Sequence, residues 1–193
     1  WSHKPDVLHC HDHHTGLIPF FVKYAIEFRD NMADIPTVFT VHNAQYQGWI
    51  PWDKYYLLPS FDSWKWGMLD WEKTINPMAS AVKCAWKVTT VSHSYLDELK
   101  GAANGLEHLF GYEQGKSHGI LNGIDTQVWD PLTDSLIAKN YDKEIVEKGK
   151  RKNKKELAGK FGLDPDKPLI SFIGRLVGEK SADLLPEAIS QSI

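Results

Sequence analysis

Short apolar runs that end in polar residues alternate along this chain with stretches of helical length. "DVLHCH" (6–11) is an apolar run closed by polar residues and predicts a buried strand. "TGLIPFFVKYAIEFRD" (15–30) predicts a helix, with Pro19 near its start where proline is tolerated. "PTVFTVHN" (36–43) is rich in β-branched residues and predicts a second strand. "TINPMASAVKCAW" (74–86) reads as a helix beginning near Pro77, and "KVTTVS" (87–92) as a third strand. Ser92 is placed to cap a helix over "HSYLDELKGAA". "HGILNGIDTQVW" (118–129) predicts a short strand and a tight turn at Asn122-Gly123. A polar helix follows over 142–163, closed by Gly162. After the linker-like "DPDKP", "PLISFIGRL" (168–176) predicts a new strand, and 181–193 a last helix.

Strand and helix in alternation predict an α/β fold with a parallel sheet. Ligands of such sheets bind beyond the carboxyl ends of the strands. His11-Asp12, His42-Asn43, Ser92, Asn122-Gly123 and Gly174-Arg175 each follow a predicted strand, so one rim is expected to gather them. No internal repeat or low-complexity tract interrupts the pattern.

Composition narrows the function classes. With 193 residues, 42% hydrophobic and 24% charged, the chain can bury a sizeable core. A net charge of -3 argues against a nucleic-acid binder, which normally carries a basic surface. Two cysteines, Cys10 and Cys84, stand in no paired spacing and suit a reducing cytoplasm. No apolar run is long enough to span a membrane, and no signal peptide is visible in a chain that starts at Trp1. The basic run 148–160 reads as the solvated face of a helix.

The densest chemistry lies at "HCHDHH" (9–14), four histidines within six residues. In a strand His9 and His11 point the same way, so a metal-dependent hydrolase on His9, His11 and His14 is one reading. No segment with recognisable metal-ligand spacing supplies the remainder of such a site. In the other reading these residues face a substrate or turn a corner.

Five segments carry a resemblance: "DVLHCHDHHTGLIP", "TVFTVHNAQYQG", "KVTTVSHSYLDEL", "GILNGIDTQVWDP" and "FIGRLVGEK". Their order and spacing resemble those of bacterial glycogen synthases and plant starch synthases, over about Asp6 to Leu185. The resemblance implies a two-lobed glycosyltransferase of the GT-B type, each lobe a Rossmann-like, doubly wound parallel sheet. Residues 1–166 would be most of the N-terminal, acceptor-side lobe without its first part. Residues 167–193 would begin the C-terminal nucleotide-sugar lobe. The implied reaction moves glucose from ADP-glucose or UDP-glucose to the non-reducing end of an α-1,4-glucan, with retention and without a cofactor. Neither nucleic acid nor membrane is an implied partner.

The resemblance also implies roles. Arg175 and Lys180 would hold the diphosphate, two fixed cations that make a metal unnecessary. His42 would bind the donor glucose near its reacting carbon. Asp12 would lie in the active cleft, or else cap the helix that starts near Thr15. Asn122 and Gly123 would lie on the donor side, and His11, Asn43, Tyr46, Gln47 and Gly48 would line the cleft. His13 stands where the family carries tryptophan, and His93 where it carries proline. Ala79-Ser80-Ala81 replaces a KAG-type segment. Ser181 replaces a glycine expected to permit close backbone approach to phosphate. The aromatic stretch 49–71 can pack onto its own domain or stack on sugar rings, packing being the simpler reading. The family's N-terminal KxGGL-type loop and its glutamate-bearing ExxG segment are not in these residues. One wall of a cleft cannot align donor and acceptor, so the 193-residue piece is expected to be inactive alone, in practice a non-catalytic glucan-binding module. A phosphorylase of the same architecture would need a pyridoxal lysine segment, and none is visible.

Overall fold

The computed structural model describes residues 4–192. Contacts divide the chain into two compact units, Trp1–Gly123 and Ile124–Ile193. This division by contacts is a different quantity from the lobe boundary expected at 166/167.

The first unit is built on four parallel strands: β1 (Leu8–His11), β2 (Thr37–Val41), β5 (Lys87–Thr90) and β6 (Ser117–Gly119). They pair in the order β1-β2-β5-β6, advancing in one direction across the sheet. Register sets Leu8 opposite Thr37 and His11 opposite Thr40, so β1 ends one residue before β2. A two-stranded ribbon, β3 (Asp70–Trp71) and β4 (Thr74–Ile75), lies outside this sheet.

Among the described residues five α-helices complete the unit: α1 (Ile18–Tyr24), α2 (Arg29–Met32), α3 (Pro77–Cys84), α4 (His93–Leu99) and α5 (Glu107–Tyr112). In α3 every residue but Lys83 is buried. Pro77 begins it, and the Asn76 side chain accepts from Ala79 N–H at 2.9 Å, satisfying one of the first-turn donors. Ser92 caps α4 in the same way, accepting from Tyr95 N–H at 2.9 Å. His93 follows this cap at the first helical position, where proline is also favoured. The main core joins Cys10, Phe39, Val41 and Val88 of the sheet to Met78, Val82, Leu99 and Phe110 of the helices.

The single helix expected over 15–30 is broken. Ala25 is extended (φ -72°, ψ 134°) and bridges Phe61, while Ile26 N–H donates to the Ser60 carbonyl at 2.8 Å. A tertiary pairing therefore supersedes local helix propensity at this point. Its partner is the aromatic stretch, which forms two 3₁₀ turns, Trp52–Leu57 and Ser63–Met68. Phe61, Trp52, Leu58 and Met68 pack on a second cluster of Phe20, Leu69, Ile75 and Cys84. Tyr55, Tyr56, Trp64 and Trp66 remain exposed, so packing accounts for part of the stretch only.

The second unit contains α6 (Val146–Lys160) and α7 (Leu185–Ser192). Gly162 (φ +64°) closes α6 in the left-handed conformation that glycine adopts without strain. The strand expected over 168–176 is not formed, and its apolar residues Ile170, Ile173 and Leu176 are exposed. Among the described residues this unit has no strand that could supply the hydrogen-bonding partner such a strand needs. Ser181 has φ +53°, a left-handed conformation that is costly for a side-chain residue. A glycine would hold this conformation without strain, a reason distinct from the close phosphate approach expected from the sequence. Among the described residues no helix is long and apolar enough to cross a membrane.

Candidate functional site

The neighbouring ends of β1 and β2 bring His11-Asp12 beside His42-Asn43. Asp12 leaves the strand at φ 49°, ψ -175°, a strained backbone position for a non-glycine residue. Its side chain makes no capping bond to the short helical turn that follows. Its Oδ1 accepts instead from the backbone N–H groups of His42 (2.8 Å) and Asn43 (3.4 Å). The capping alternative for Asp12 is therefore set aside: the carboxylate clamps the end of the neighbouring strand.

His42 is exposed, and its ring Nε2 lies 3.1 Å from His11 Nδ1. Thr15 buckles His11 from both sides. Its Oγ1 accepts from His11 N–H at 2.6 Å and donates to the His11 carbonyl at 2.8 Å. The His9 and His11 rings stack with centroids 4.1 Å apart. His9 Nε2 in turn meets Thr40 Oγ1 at 2.7 Å, and Thr40 Oγ1 meets Thr89 Oγ1 at 2.6 Å. Burial lowers the His9 pKa, and the neighbouring His11 and His42 rings lower it further, so His9 favours its neutral form.

The remaining histidines turn elsewhere. His13 and His14 stack on each other with centroids 3.9 Å apart. A Cβ added to Gly48, which has φ +74°, would sit 2.8 Å from His13 Cδ2. Gly48 is thus required by its own backbone conformation and by the His13 ring. Among the described residues no group of three or more His, Cys, Asp or Glu side chains is arranged to hold a metal. His9, His11 and His14 do not form a ligand set.

The loop after β2 is fastened from below. Asn43 Oδ1 accepts from Gln45 N–H at 2.9 Å, and Tyr95 Oη accepts from Ala44 N–H at 3.0 Å. Gln47 is only 1% exposed. Its Nε2 lies 3.0, 3.1 and 2.9 Å from the carbonyls of Ala44, Ala103 and Asn104, and its Oε1 accepts from Asn76 Nδ2 at 2.7 Å. This corrects the expectation that Gln47 lines the cleft: its amide is used entirely inside the fold. Tyr46 beside it is 54% exposed.

Asn122 and Gly123 follow β6 and are exposed. Neither has the positive φ expected of a tight left-handed turn, and a Cβ on Gly123 would meet nothing within 4 Å. Their own backbone gives no steric reason for glycine. Arg175 and Lys180 lie in the second unit, both exposed, Lys180 at the end of the short turn Gly178–Lys180.

Sequence reasoning missed Thr15, Thr40, Thr89 and Tyr95. Their hydroxyls stand in ordinary strand and helix positions, and only folding reveals what they touch.

Comparison with known proteins follows the same lines. The family model described as starch synthase catalytic domain matches residues 1–112. A glycogen synthase of Flavobacterium johnsoniae is 56% identical over 184 residues, covering 95% of this chain and 39% of that protein. A glycogen synthase of Streptococcus gordonii is 38% identical over 193 residues, covering 96% of this chain and 40% of its own. Among solved structures, the catalytic domain of starch synthase IV from Arabidopsis thaliana, bound to ADP and acarbose, superposes with a TM-score of 0.79. It shares 28% identity and covers 98% of this chain and 40% of its own. The chain thus spans about two fifths of the length of these proteins.

Proposed function

The chain belongs to the starch synthase catalytic domain family, and we propose on that footing that the protein carrying it is a glucosyltransferase of the glycogen and starch synthase type. It would transfer glucose from a nucleotide sugar to the non-reducing end of an α-1,4-glucan, with retention. The observation that carries this reading is the meeting of His42, His11 and Asp12 at the carboxyl rim of the sheet, in the motifs that resemble that family. ADP-glucose is the donor we favour, because the solved relative is bound to ADP, and its acarbose supports an oligosaccharide acceptor.

Each residue then has a task. His42 hydrogen-bonds the donor glucose through its ring, an interaction available to neutral imidazole. Asp12 is a positioning residue, since its Oδ1 fixes the His42 backbone. Asn43, Tyr46 and the backbone around Gly48 line the glucan side. Gly123 leaves room for a ligand to approach the chain where nothing else occupies the space of a side chain. Arg175 and Lys180 neutralise the departing diphosphate, Arg175 as a planar fork and Lys180 as a point charge. Residues 167–193 open the nucleotide-sugar lobe, and the 193-residue chain alone is inactive. Two buried free thiols, Cys10 and Cys84, suit a reducing cytoplasm.

The test is calorimetric titration of ADP-glucose and UDP-glucose into the full-length protein in EDTA, with glucosyl transfer to glycogen assayed alongside. Binding and transfer are expected with ADP-glucose, and His42→Ala should lower kcat by about a hundredfold or more. No transfer from either donor would overturn the reading.

A further inference from the structure

One ring nitrogen of His42 is already engaged inside the protein. Its Nε2 is held by His11 Nδ1 at 3.1 Å, and among the described residues the ring has no second hydrogen-bond partner. The His42 backbone is fixed separately by Asp12, at 2.8 Å. What remains free is rotation of the side chain, and the contact with His11 removes it. His11 is itself immobilised. Thr15 ties its backbone on both sides, and its ring lies against His9, which is anchored through Thr40 to Thr89. The brace therefore draws on three adjacent strands, β1, β2 and β5.

We infer that His11 is a positioning residue: by holding His42 Nε2 it fixes the orientation of the ring, couples its tautomer to that of His11, and leaves Nδ1 as the nitrogen that meets the ligand. Neutral imidazole carries one donor and one acceptor nitrogen. Two neutral rings in contact share a single hydrogen, so the role taken by His42 Nε2 forces the opposite role on Nδ1. A ring free to flip would offer a ligand either nitrogen in either role. The His9 ring lies against that of His11, their centroids 4.1 Å apart. This inference depends on the proposed glucosyl transfer only for the identity of the ligand; the state of the ring is a property of the chain itself.

The first readout needs no sugar. Long-range proton–nitrogen correlation on protein labelled with ¹⁵N-histidine, at a pH where the rings are neutral, distinguishes a fixed tautomer from a mixture. The tautomer balance of His42 is expected to depend on His11, so its ring nitrogen resonances should shift in His11→Ala. His11→Asn places an amide near the position of Nδ1 and should move the resonances back towards those of the parent. The second readout is kinetic, on the full-length protein. His11→Phe, which keeps a ring against His9, should lower kcat about five- to tenfold with KM changed less than about twofold. His11→Asn should recover most of that loss. His42 nitrogen resonances unmoved in His11→Ala would overturn the inference, as would kinetics of His11→Phe equal to those of the parent. If the parent transfers no glucose, the functional reading fails while the nitrogen spectrum still decides the role of His11.

Discussion

Replacing Gln47 with leucine tests how the loop that carries His42 is held. Gln47 is only 1% exposed, and its side-chain amide joins three parts of the chain. Nε2 donates towards the carbonyls of Ala44, Ala103 and Asn104, and Oε1 accepts from Asn76, which caps α3. Leucine fills much of the same volume, so the cost comes from polar groups left unpaired rather than from a cavity. Asn104 is exposed, and water can replace the bond to its carbonyl. The Asn76 amide and the carbonyls beside the buried Ala44 and Ala103 have no such escape. An orphaned buried group costs about 1–3 kcal/mol, and two Nε2 hydrogens shared among three carbonyls reduce the number truly lost, so we expect about 3–5 kcal/mol. For a urea dependence of about 2 kcal/mol per molar, the unfolding midpoint should fall by about 1.5–2.5 M. Urea titration of the 193-residue chain, followed by far-ultraviolet circular dichroism, measures it. A loss below about 1 kcal/mol would refute the reasoning, because it would mean that water reaches these groups or that they pair elsewhere. Gln47→Glu should be at least as damaging at neutral pH, since a buried carboxylate cannot donate to carbonyls.

Two other consequences concern packing and pH. Gly119→Ala should lower the melting temperature by about 5–10 °C, since the added Cβ would lie 2.5 Å from the His93 nitrogen and 2.6 Å from the Ser92 carbonyl carbon; an unchanged melting curve would show that the β6–α4 approach relaxes freely. Burial pushes the Cys84 thiol from its ordinary 9.0 up to about 11, with three lysines offsetting part of that rise. A raised thiol pKa means that the unfolded chain loses its proton first. The stabilisation is therefore complete below pH 9.0 and is lost as pH rises towards about 11. Across that window the urea midpoint should fall more steeply in the parent than in Cys84→Ala, and equal slopes would contradict the assignment.

How much of this was legible in the sequence differs from element to element. The strands at Leu8–His11, Thr37–Val41 and Lys87–Thr90 could be read because β-branched and apolar runs bounded by polar residues admit few other folds. The caps Asn76 and Ser92 act within three residues of themselves, so their neighbours in sequence are also their partners. The break at Ala25 was not legible, because its cause is a backbone pairing with Phe61, 36 residues away. The strand expected over 168–176 failed for the complementary reason: propensity for a strand is not a partner for one.

The candidate site divides along the same line. Residue order alone placed His11, Asp12, His42 and Asn43 at strand ends, since side-chain alternation and the rule of the carboxyl rim are local properties of a parallel sheet. What each group does there was decided by the register of β1 against β2. That register turned Asp12 from a helix cap into a clamp on His42 and set His11 against the His42 ring. The register of β2 against β5 set Thr40 opposite Thr89, within reach of His9. Gln47, polar and close to the histidine motif, reads in sequence as a ligand contact. The tertiary structure buries it, because three backbone carbonyls and Asn76 converge on one amide from segments up to 57 residues apart. The sequence determines which chemical groups are present and which strand ends carry them. Whether a group meets a ligand or is consumed within the fold depends on partners that only the folded chain brings within hydrogen-bonding distance.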